Sequence, residues 1–467
     1  MAFITTGILL QVLAFLVTII GATYIYLKHV AYNYWSSKGI VQSEPMTPFG
    51  SLWPVFTSQK SIDRGMYYNE EHDPMSAHLF LIGGTKWRNL RIKFTPTFTS
   101  GKMKQMFTTV KDIADNLGKR LTEEVHKNGL IEIKDLVARF STDVIASVAF
   151  GIECNSLQNP NAEFRTWGKK LLEPKPVKNA LFALCPPVLK LFNASITDKG
   201  GSDFFIKAFK DTVEYRTANN VVRKDFLDLI MQLMNKGYLQ SDDGKESVIA
   251  PETREKITML EGAAQAFVFW IAGFETSSTT VTHCTYELAL NQKIQEKMAN
   301  EINTVLEKFG GLTYESINEM PYLHKVVSET LRKYPSVPLL NRECNREIEL
   351  LDTGFVVPTG TPIIVPVLGI HFDPDIYPDP DKFDPERFSD ENIAKRHKYA
   401  YLPFGEGPRN CIGMRFGLLQ TKIGLITLFS KYRFKPGPDT KVPLPVDKGN
   451  ILHGPLGGVT LKVEERY

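Results

Sequence analysis

A ten-residue loop near the C-terminus, FGEGPRNCIG at Phe404–Gly413, constrains this chain more than any other segment. It places Cys411 on a glycine-rich turn directly before an apolar stretch, Met414–Phe429, whose periodicity predicts an amphipathic helix. Backbone N–H groups in such a turn, and the N-terminus of a helix, stabilise a thiolate. The glycines of the loop allow a tight turn and let a flat ligand approach closely. Arg409 is placed to neutralise an anionic group of that ligand.

A thiolate held on a stiff glycine loop is what haem iron needs as an axial ligand, and thiolate donation favours O–O cleavage. The pattern F-x-x-G-x-R-x-C-x-G resembles the haem-binding signature of cytochromes P450, and the matching residues are Phe404, Gly407, Arg409, Cys411 and Gly413. The resemblance implies haem b (iron protoporphyrin IX) with Cys411 as its axial thiolate. It also implies the fold of that family, which is mainly α (α+β), with a large helical domain and a small β-rich region.

Composition agrees with a globular body and argues against several classes of protein. A hydrophobic fraction of 43% with 23% charged residues excludes a disordered, collagenous or multi-span membrane chain. The net charge of +3 is too balanced to indicate nucleic-acid binding. The five cysteines are scattered and form no C-x-x-C pair, which argues against a disulfide scaffold or zinc knuckle and favours a reducing compartment.

The N-terminus predicts a membrane anchor. No charged residue precedes Lys28, and the apolar run is long enough for one transmembrane helix. A cleavable signal peptide is the alternative, but the run lacks a preceding basic region. Lys28 and Lys38 put positive charge on its C-terminal side, so we expect the body in the cytosol. We divide the chain into an anchor at 3–27, a linker at 28–50 and a catalytic domain at 51–467. The resemblance implies a single-pass protein of the endoplasmic-reticulum membrane.

The chain holds no complete G-x-G-x-x-G or G-x-x-x-x-G-K-[ST] motif, so it shows no nucleotide cradle of its own. Electrons for redox chemistry must therefore come from another protein. The resemblance implies NADPH–cytochrome P450 reductase as that partner, with cytochrome b5 as a second donor. Two basic clusters are either solvated faces or a docking patch for an acidic flavoprotein. One consists of Lys86, Arg88, Arg91 and Lys93, and the other is KRHK at 395–398.

An acidic residue and several hydroxyls lie within the longest apolar helical stretch, Pro251–Leu290. Burying such groups without partners is costly, so their presence needs a reason. Thr276 can bond back to a carbonyl one turn earlier and loosen the helix, and Gly273 permits the distortion. The segment AGFETS resembles the family's oxygen-binding motif. The resemblance makes Glu275 and Thr276 the catalytic residues, through proton relay and orientation of water, and sets Ala272 and Gly273 against the haem.

A carboxylate and two arginines predict a buried structural cluster. Glu329 and Arg332 are spaced i,i+3, which puts them on one face of a helix. The resemblance adds Arg387 from the segment PERF and implies a triad of the three side chains. Buried forks between guanidinium and carboxylate groups fix geometry more than they add net stability.

The resemblance also assigns residues to the haem carboxylates and to the substrate pocket. On the haem propionates it places Trp87, Arg91, Arg342 and Arg409. Over the haem it places Phe267, Val268, Val337, Leu339 and Leu452. These pocket residues are apolar, which predicts a lipophilic substrate of modest size. The motifs most resemble those of the microsomal detoxifying branch of insects, whose members oxidise plant toxins, insecticides and hormones. The resemblance therefore implies a monooxygenase that inserts one atom of O2 into such a molecule.

Two other functional classes stay open. Peroxide isomerases and dehydratases share the haem loop but typically lack the acid–threonine pair, so Glu275 and Thr276 favour a monooxygenase. A non-catalytic or poorly folded paralogue is favoured by a local shortfall, since only 38 positions separate Phe49 from Trp87. The resemblance implies a longer segment there, holding a first helix and two strands. We therefore predict an internal deletion near residues 58–63, which would expose an edge of the sheet.

Overall fold

The computed structural model of the chain describes residues 14–15, 17–26, 63–173, 175, 178–179, 181–182, 186–239, 255–350 and 355–466. Residues 14–15 and 17–26, within the predicted anchor, are helical and largely exposed. The predicted linker at 28–50 and all but the last residue of the predicted deletion site lie outside the described residues. Among the helices that the structure describes, none combines the length and the apolar character needed to cross a membrane.

Helices dominate the described chain and the strands are short, so the predicted mainly α class is confirmed. After the helical residues near the N-terminus, the α-helices are α1 (Gly84–Phe94), α2 (Ser100–Lys127), α3 (Ile133–Ile145), α4 (Glu163–Leu172), α5 (Pro186–Leu191), α6 (Lys199–Ala218), α7 (Phe226–Lys236), α8 (Met259–Leu290), α9 (Gln292–Phe309), α10 (Pro321–Lys333), α11 (Val367–His371), α12 (Asp390–Lys395) and α13 (Met414–Phe429). The strands are β1 (Leu130–Glu132), β2 (Leu340–Glu343), β3 (Ile348–Leu350), β4 (Phe355–Val357), β5 (Pro362–Val365), β6 (Tyr432–Pro436) and β7 (Thr460–Glu465). Short 3-10 turns occupy Pro74–Ser76, Thr95–Phe98, Ser316–Glu319, Pro385–Phe388 and Lys398–Ala400, and Ala146–Phe150 forms a π-helical turn.

The chain divides into two compact units. The strand unit includes Leu340–Pro366, where β2 pairs with β5 and β3 pairs with β4, both antiparallel. The helical unit comprises Ile62–Leu339 and Val367–Tyr467 and contains an antiparallel sheet in the order β1-β7-β6. The single catalytic domain at 51–467 stays a prediction.

The helix α8 crosses the core of the helical unit and is buried along most of its length. It packs against α3, α6, α7, α10, α13 and β6. The predicted start at Pro251 is corrected, because a capping box begins α8 at Met259. In that box Thr258 Oγ1 accepts from the Glu261 N–H at 3.2 Å, and the Glu261 carboxylate accepts from the Thr258 N–H at 2.9 Å. A helix that is apolar on every side must be covered on every side, so α8 fixes where its neighbours lie.

A buried ion pair between Arg216 and Asp225 lies at the start of α7. The Asp225 carboxylate accepts from Arg216 Nη1 at 2.9 Å and Nη2 at 2.5 Å, and it also caps the first turn of α7. Arg216 in turn occupies the space beside Gly151, where a Cβ would lie 2.0 Å from its Nη2. Gly151 has a φ of 67°, so both its conformation and its neighbour demand glycine.

The structure brings Glu329, Arg332 and Arg387 together. Arg332 Nε donates to Glu329 Oε2 at 2.7 Å, and its Nη2 donates to Oε1 at 2.9 Å. Arg387 Nε lies 3.5 Å from the same Oε1. The side chains of Glu329 and Arg332 are both 0% exposed. Burial raises the pKa of Glu329, while the bonds from Arg332 act in the opposite direction.

The Glu329–Arg332 pair also binds the backbone at and just before the proline-rich segment at 373–388, which precedes the cysteine loop. Arg332 donates to the carbonyl of His371 at 2.9 Å and to that of Pro380 at 2.7 Å. Glu329 Oε1 accepts from the Asp384 N–H at 2.9 Å. Because this segment has little regular structure, these bonds supply backbone partners that a helix or sheet would otherwise provide.

The variant Glu329→Ala should destabilise the chain strongly, because it leaves the Arg332 charge buried without its carboxylate. We expect the free energy of unfolding to fall by about 3–5 kcal/mol. The matched control is Glu386→Ala, whose exposed carboxylate pairs with Lys297 at 2.8 Å and Lys325 at 3.1 Å. Its loss should cost about 1 kcal/mol or less. Denaturant titration of both variants measures the difference, and equal costs would contradict the structural role of the buried pair.

Candidate active site

The loop that carries Cys411 is closed by backbone hydrogen bonds. The Cys411 N–H donates to the Phe404 carbonyl at 2.8 Å, and the Asn410 N–H donates to the Gly407 carbonyl at 3.0 Å. Gly405 and Gly407 have φ values of 68° and 77°, a region that glycine enters without a steric penalty. The glycines therefore shape the turn, and the cysteine lies at its end, just before α13.

The Cys411 thiol is accessible to solvent although many protein atoms surround it, as in a concave site. The backbone N–H of Gly413 bonds to its sulfur. Burial raises the pKa of Cys411, and the Gly413 N–H and the guanidinium groups of Arg91 and Arg64 act against that rise. A thiol in this setting needs a further positive charge to become a thiolate, and a bound metal cation supplies one.

The helix α1 and the cysteine loop are joined by two arginines. Arg91 Nη1 donates to the Asn410 carbonyl at 3.0 Å, and Nη2 donates to Asn410 Oδ1 at 2.8 Å. The guanidinium of Arg409 lies 4.0 Å from the centre of the Trp87 ring. It also pairs with Asp63 at 3.0 Å. Trp87, Arg91 and Arg409 thus lie together, as the spacing and the resemblance imply, and their contact with haem propionates stays a prediction.

Asn410 and Asp63 are functional neighbours that the sequence reasoning missed. Asn410 bonds Arg91 through both its carbonyl and its side chain. Asp63 pairs with Arg409 and also accepts from the Gly84 N–H at 2.9 Å, at the start of α1. Nothing in local spacing identifies either contact, because the partners are far apart in the chain.

The turn of α8 from Ala272 to Thr276, here called the open turn, is less buried than most of the helix. Ala272 is exposed and Thr276 is half-buried, although most residues on either side of them along the helix are buried. Thr276 Oγ1 donates to the Ala272 carbonyl at 2.6 Å, the predicted bond one turn back. The helix nevertheless continues through this turn, so the predicted distortion at Gly273 is corrected. A Cβ at Gly273 would lie 2.7 Å from Ile145 Cδ1, so this glycine allows close packing with α3.

Glu275 points away from the hydroxyl of Thr276. Its carboxylate accepts from Thr279 Oγ1 at 3.4 Å, and no hydrogen bond joins it to Thr276 among the described residues. Burial raises the pKa of Glu275, and the positive charges of Lys134 and Arg165 partly oppose this rise. A carboxyl group with a raised pKa can hold a proton at neutral pH and release it, which suits a proton relay.

The cysteine loop and the open turn of α8 lie close to each other. α13 begins directly after the loop and packs against α8, and a Cβ at Gly417 would lie 3.9 Å from Ser277 Oγ. An accessible thiol with an N–H directed at its sulfur thus accompanies an exposed alanine in a buried helix. These features fit a flat cofactor whose metal is bound by sulfur, so the residues present are compatible with haem.

The predicted substrate-pocket residues fall into two groups. Phe267 is 4% exposed, and its ring centre lies 5.2 Å from that of Phe205, so its place in the substrate pocket stays a prediction. It lies on the opposite face of α8 from Thr276, nine residues away. Val268 is also buried, whereas the last three residues of the predicted pocket are half-buried or exposed. These are Val337, Leu339 and Leu452.

Most side chains of the first basic cluster have partners within the protein. Lys86 pairs with Glu70 at 2.7 Å, Arg91 bonds the cysteine loop, and Lys93 is buried and donates to a backbone carbonyl. Only Arg88 is exposed without an ion pair to any described residue. In the second cluster, Arg396 packs over Tyr377 and Phe388, and Lys395 pairs with Glu391. The docking role of both clusters stays a prediction.

Arg342, the remaining predicted haem contact, lies on β2 in the strand unit. It is buried, and its Nη1 donates to the Asn341 carbonyl at 2.9 Å. Its role toward a propionate stays a prediction.

Comparison with known proteins agrees with this geometry. The family model described as cytochrome P450 matches residues 56–461. The chain is similar to cytochrome P450 6a2 of Drosophila melanogaster, with 44% identity over 86% of this chain and 80% of that protein. It is 41% identical to cytochrome P450 6A1 of Musca domestica, over 86% of this chain and 78% of that protein. Cytochrome P450 6k1 of Blattella germanica is 36% identical over 99% of this chain and 98% of that protein.

The alignment with the Blattella protein runs over 524 positions, 57 more than the 467 residues of this chain, so parts of that relative have no counterpart here. The match to the family makes the chain an oxidoreductase and a monooxygenase. It also implies haem iron bound through a cysteine thiolate, and Cys411 is the cysteine of the matching signature. With the family model covering most of its length and its relatives drawn from insects, this chain belongs to the cytochrome P450 family, in its insect detoxifying branch.

Proposed function

We propose that this chain inserts one atom of O2 into a lipophilic small molecule, using electrons that an NADPH-dependent reductase delivers. The observation that carries the proposal is the pairing of an accessible cysteine thiol with an open turn in an otherwise buried helix. When bound, haem would supply the iron that activates O2, and Cys411 would hold it through a thiolate, whose electron donation would favour O–O cleavage. The other atom of O2 leaves as water, which takes up two electrons and two protons.

The chain's own contribution begins at the cysteine loop. The fixed backbone of the loop sets the direction of the Cys411 sulfur, and the Gly413 N–H donates to it. A donor on the sulfur reduces its electron density, so the loop adjusts how strongly the ligand donates. Arg91 and Arg409 hold α1 against the loop and place positive charge beside it.

Proton delivery is assigned to Thr276 and Glu275. The Thr276 hydroxyl donates to the Ala272 carbonyl, which leaves its lone pairs directed at the open turn to orient water. Glu275, with its raised pKa, holds a proton within the same helical turn and passes it through the Thr279 hydroxyl or water. Without protons supplied in time, reducing equivalents would leave as peroxide.

The substrate is proposed to be lipophilic and neutral. The open turn presents Ala272, and the exposed or half-buried residues assigned to the pocket are Val337, Leu339 and Leu452. Apolar side chains bind by removing area from water, which selects for lipophilicity and not for charge. Plant toxins, insecticides and hormones are molecules of this kind.

We place the chain at the endoplasmic-reticulum membrane, anchored by residues 3–27, with its body in the cytosol. NADPH–cytochrome P450 reductase is the proposed electron donor, and cytochrome b5 is a second one. The absence of a complete nucleotide-binding motif in the sequence supports an external donor. Among the basic residues near the loop, Arg88 is exposed and suits contact with an acidic flavoprotein.

A second candidate is a non-catalytic or poorly folded form of the same fold. It is favoured by the short interval between Phe49 and Trp87, and by the 57 alignment positions in excess of the chain's 467 residues. We propose that an internal deletion near residues 58–63 accounts for the shortfall. A peroxide isomerase or dehydratase is a weaker candidate. Such an enzyme takes up no protons from solvent, so it would not require the proton delivery proposed for Glu275 and Thr276.

The variant Thr276→Ala tests the proposed proton delivery. It removes the hydroxyl that orients water, so we expect product formed per NADPH consumed to fall by about tenfold and peroxide to rise accordingly. The control is Thr282→Val, which removes a fully buried hydroxyl that bonds back to the Ser278 carbonyl at 2.8 Å. Product, peroxide and NADPH are measured in the same reaction with reductase. Unchanged coupling in Thr276→Ala would contradict the assignment.

The variant Ala272→Phe tests whether the open turn borders the substrate. The added ring should fill the space beside α8, and we expect KM for a bulky lipophilic substrate to rise about tenfold. Ala272→Gly is the matched control, since it leaves that space open at a small cost in helix stability. If both variants bind the substrate as the unaltered chain does, Ala272 does not line the pocket.

A further inference from the structure

Polar side chains continue along α8 beyond the residues assigned to proton delivery. Thr276, Thr280, His283 and Glu287 follow one another at spacings of four, three and four residues. This spacing puts all four on one face of the helix. Apart from Thr276, the members of this row are at most 4% exposed. We call these four residues the polar row.

At its first end the polar row meets the open turn. Thr280 Oγ1 donates to the Thr276 carbonyl at 2.8 Å and lies 3.5 Å from Ser336 Oγ. Ser336 Oγ in turn lies 3.5 Å from the same Thr276 carbonyl. The turn that carries Thr276 is therefore connected to hydroxyls on two chain segments.

At its other end the polar row approaches the surface. Glu287 Oε1 accepts from the Tyr334 hydroxyl at 2.6 Å and pairs with Lys333 Nζ at 2.8 Å. The Lys333 side chain is 16% exposed, whereas that of Glu287 is 3% exposed. Charge at this end is thus in contact with solvent through Lys333.

His283 lies between the two ends and has no explained role. It is 0% exposed, and neither ring nitrogen has a hydrogen-bond partner among the described residues. Its ring stacks on Tyr334, with 4.2 Å between ring centres and an angle of 14° between planes, so the nitrogens do not bond the Tyr334 hydroxyl. The ring of His453 lies 6.2 Å away between centres, and its buried Nδ1 likewise lacks a partner among the described residues.

Buried polar atoms are almost always hydrogen-bonded, to protein or to ordered water. Three imidazole nitrogens without protein partners in one place therefore indicate internal water. No direct hydrogen bond joins these nitrogens of the two rings, and one water between them would form two hydrogen bonds of about 2.8–3.0 Å. The backbone holds His453 in place, since its N–H donates to the Ser336 carbonyl at 3.0 Å.

We propose that His283 and His453 bind ordered water, and that this water, together with the hydroxyls of the polar row, carries solvent protons from the Lys333–Glu287 end to water held at the Thr276 hydroxyl. The proposal rests on the proposed monooxygenase function, which consumes two protons for each substrate oxidised. It makes His283 a positioning residue for proton supply, in a route separate from Glu275.

The proton route returns each group along it to its starting charge after every delivery. A neutral imidazole offers one N–H donor and one bare nitrogen acceptor, so His283 holds and orients the water while the protons pass between water molecules and hydroxyl groups. Burial is the main reason that the pKa of His283 lies well below its usual range, and His453 and Lys134 lower this pKa further. The resting ring is therefore neutral. Each proton delivered is replaced from solvent at the Lys333 end.

Two measurements test the proposal on the full-length holoenzyme. The first is a crystal structure of the unaltered protein, in which we expect an ordered water within about 3.2 Å of a His283 ring nitrogen. A dry site around His283 would overturn the proposal, and this measurement needs no variant to fold.

The second measurement compares His283→Phe, His283→Gln and Thr285→Val in the reductase-coupled reaction. His283→Phe keeps a ring but cannot bind water, so product per NADPH should fall by about tenfold, with a larger solvent deuterium effect on that ratio. His283→Gln retains a donor and an acceptor and should stay within about twofold of the unaltered enzyme. Thr285→Val is the control, because Thr285 lies on the opposite face and bonds back to the Val281 carbonyl at 2.8 Å.

The outcomes separate this inference from the proposed function. An unaltered enzyme that forms product, with His283→Phe behaving like Thr285→Val, would overturn the proton route and leave the monooxygenase function standing. An unaltered enzyme that binds haem and forms no product with any substrate class would contradict the proposed function, and the proton route would fall with it.

Discussion

The burial of one long helix is the constraint on which the rest of this structure depends. α8 extends over 32 residues and is covered by helices and a strand on nearly every side. Such a helix cannot be left uncovered without exposing a large apolar area to water. The exposed Ala272 and the half-buried Thr276 one turn later therefore mark the part of α8 that is accessible to a ligand. The active site is defined as much by this opening as by the cysteine.

The cysteine loop and the Glu329–Arg332 pair solve a common problem, which is how to fix irregular backbone. The loop does so with its own hydrogen bonds and left-handed glycines at 405 and 407. The pair does so by bonding carbonyl and N–H groups of the proline-rich segment. Burying the two charges costs free energy, and their bonds make the segment that precedes the Cys411 loop rigid. Rigid support of this kind is what a precisely placed ligand requires.

The sequence predicted the elements whose signals are local. The apolar spacing identified α8 and α13, and the signature around Cys411 identified the loop, because both patterns lie within a few turns of chain. The start of α8 was predicted less well. Thr258 caps this helix, yet the apolar spacing extended it back to Pro251, past the cap. Phe267 lies on the face of α8 opposite Thr276, and the nine-residue spacing between them predicts this placement.

Contacts between distant parts of the chain could not be predicted. Asp63 meets Arg409, and Asn410 meets Arg91, across more than three hundred residues, so no spacing rule connects them. The burial of Lys93, in the first basic cluster, could not be predicted either, because it depends on the other elements that cover this side chain. The surroundings of His283 were also not predictable, because nothing in its local sequence distinguishes it from other histidines. Only its complete burial, with both nitrogens lacking a partner among the described residues, reveals a site for water.

The central claim is that this chain assembles a haem-thiolate site through Cys411 despite the short interval before Trp87. The most direct test is the carbon monoxide difference spectrum of the expressed, reduced full-length protein. We expect a Soret maximum typical of thiolate ligation, lost in Cys411→Ser and retained in Cys154→Ser. A protein that binds no haem, or that shows a spectrum without thiolate character, would contradict the account and favour the non-catalytic form.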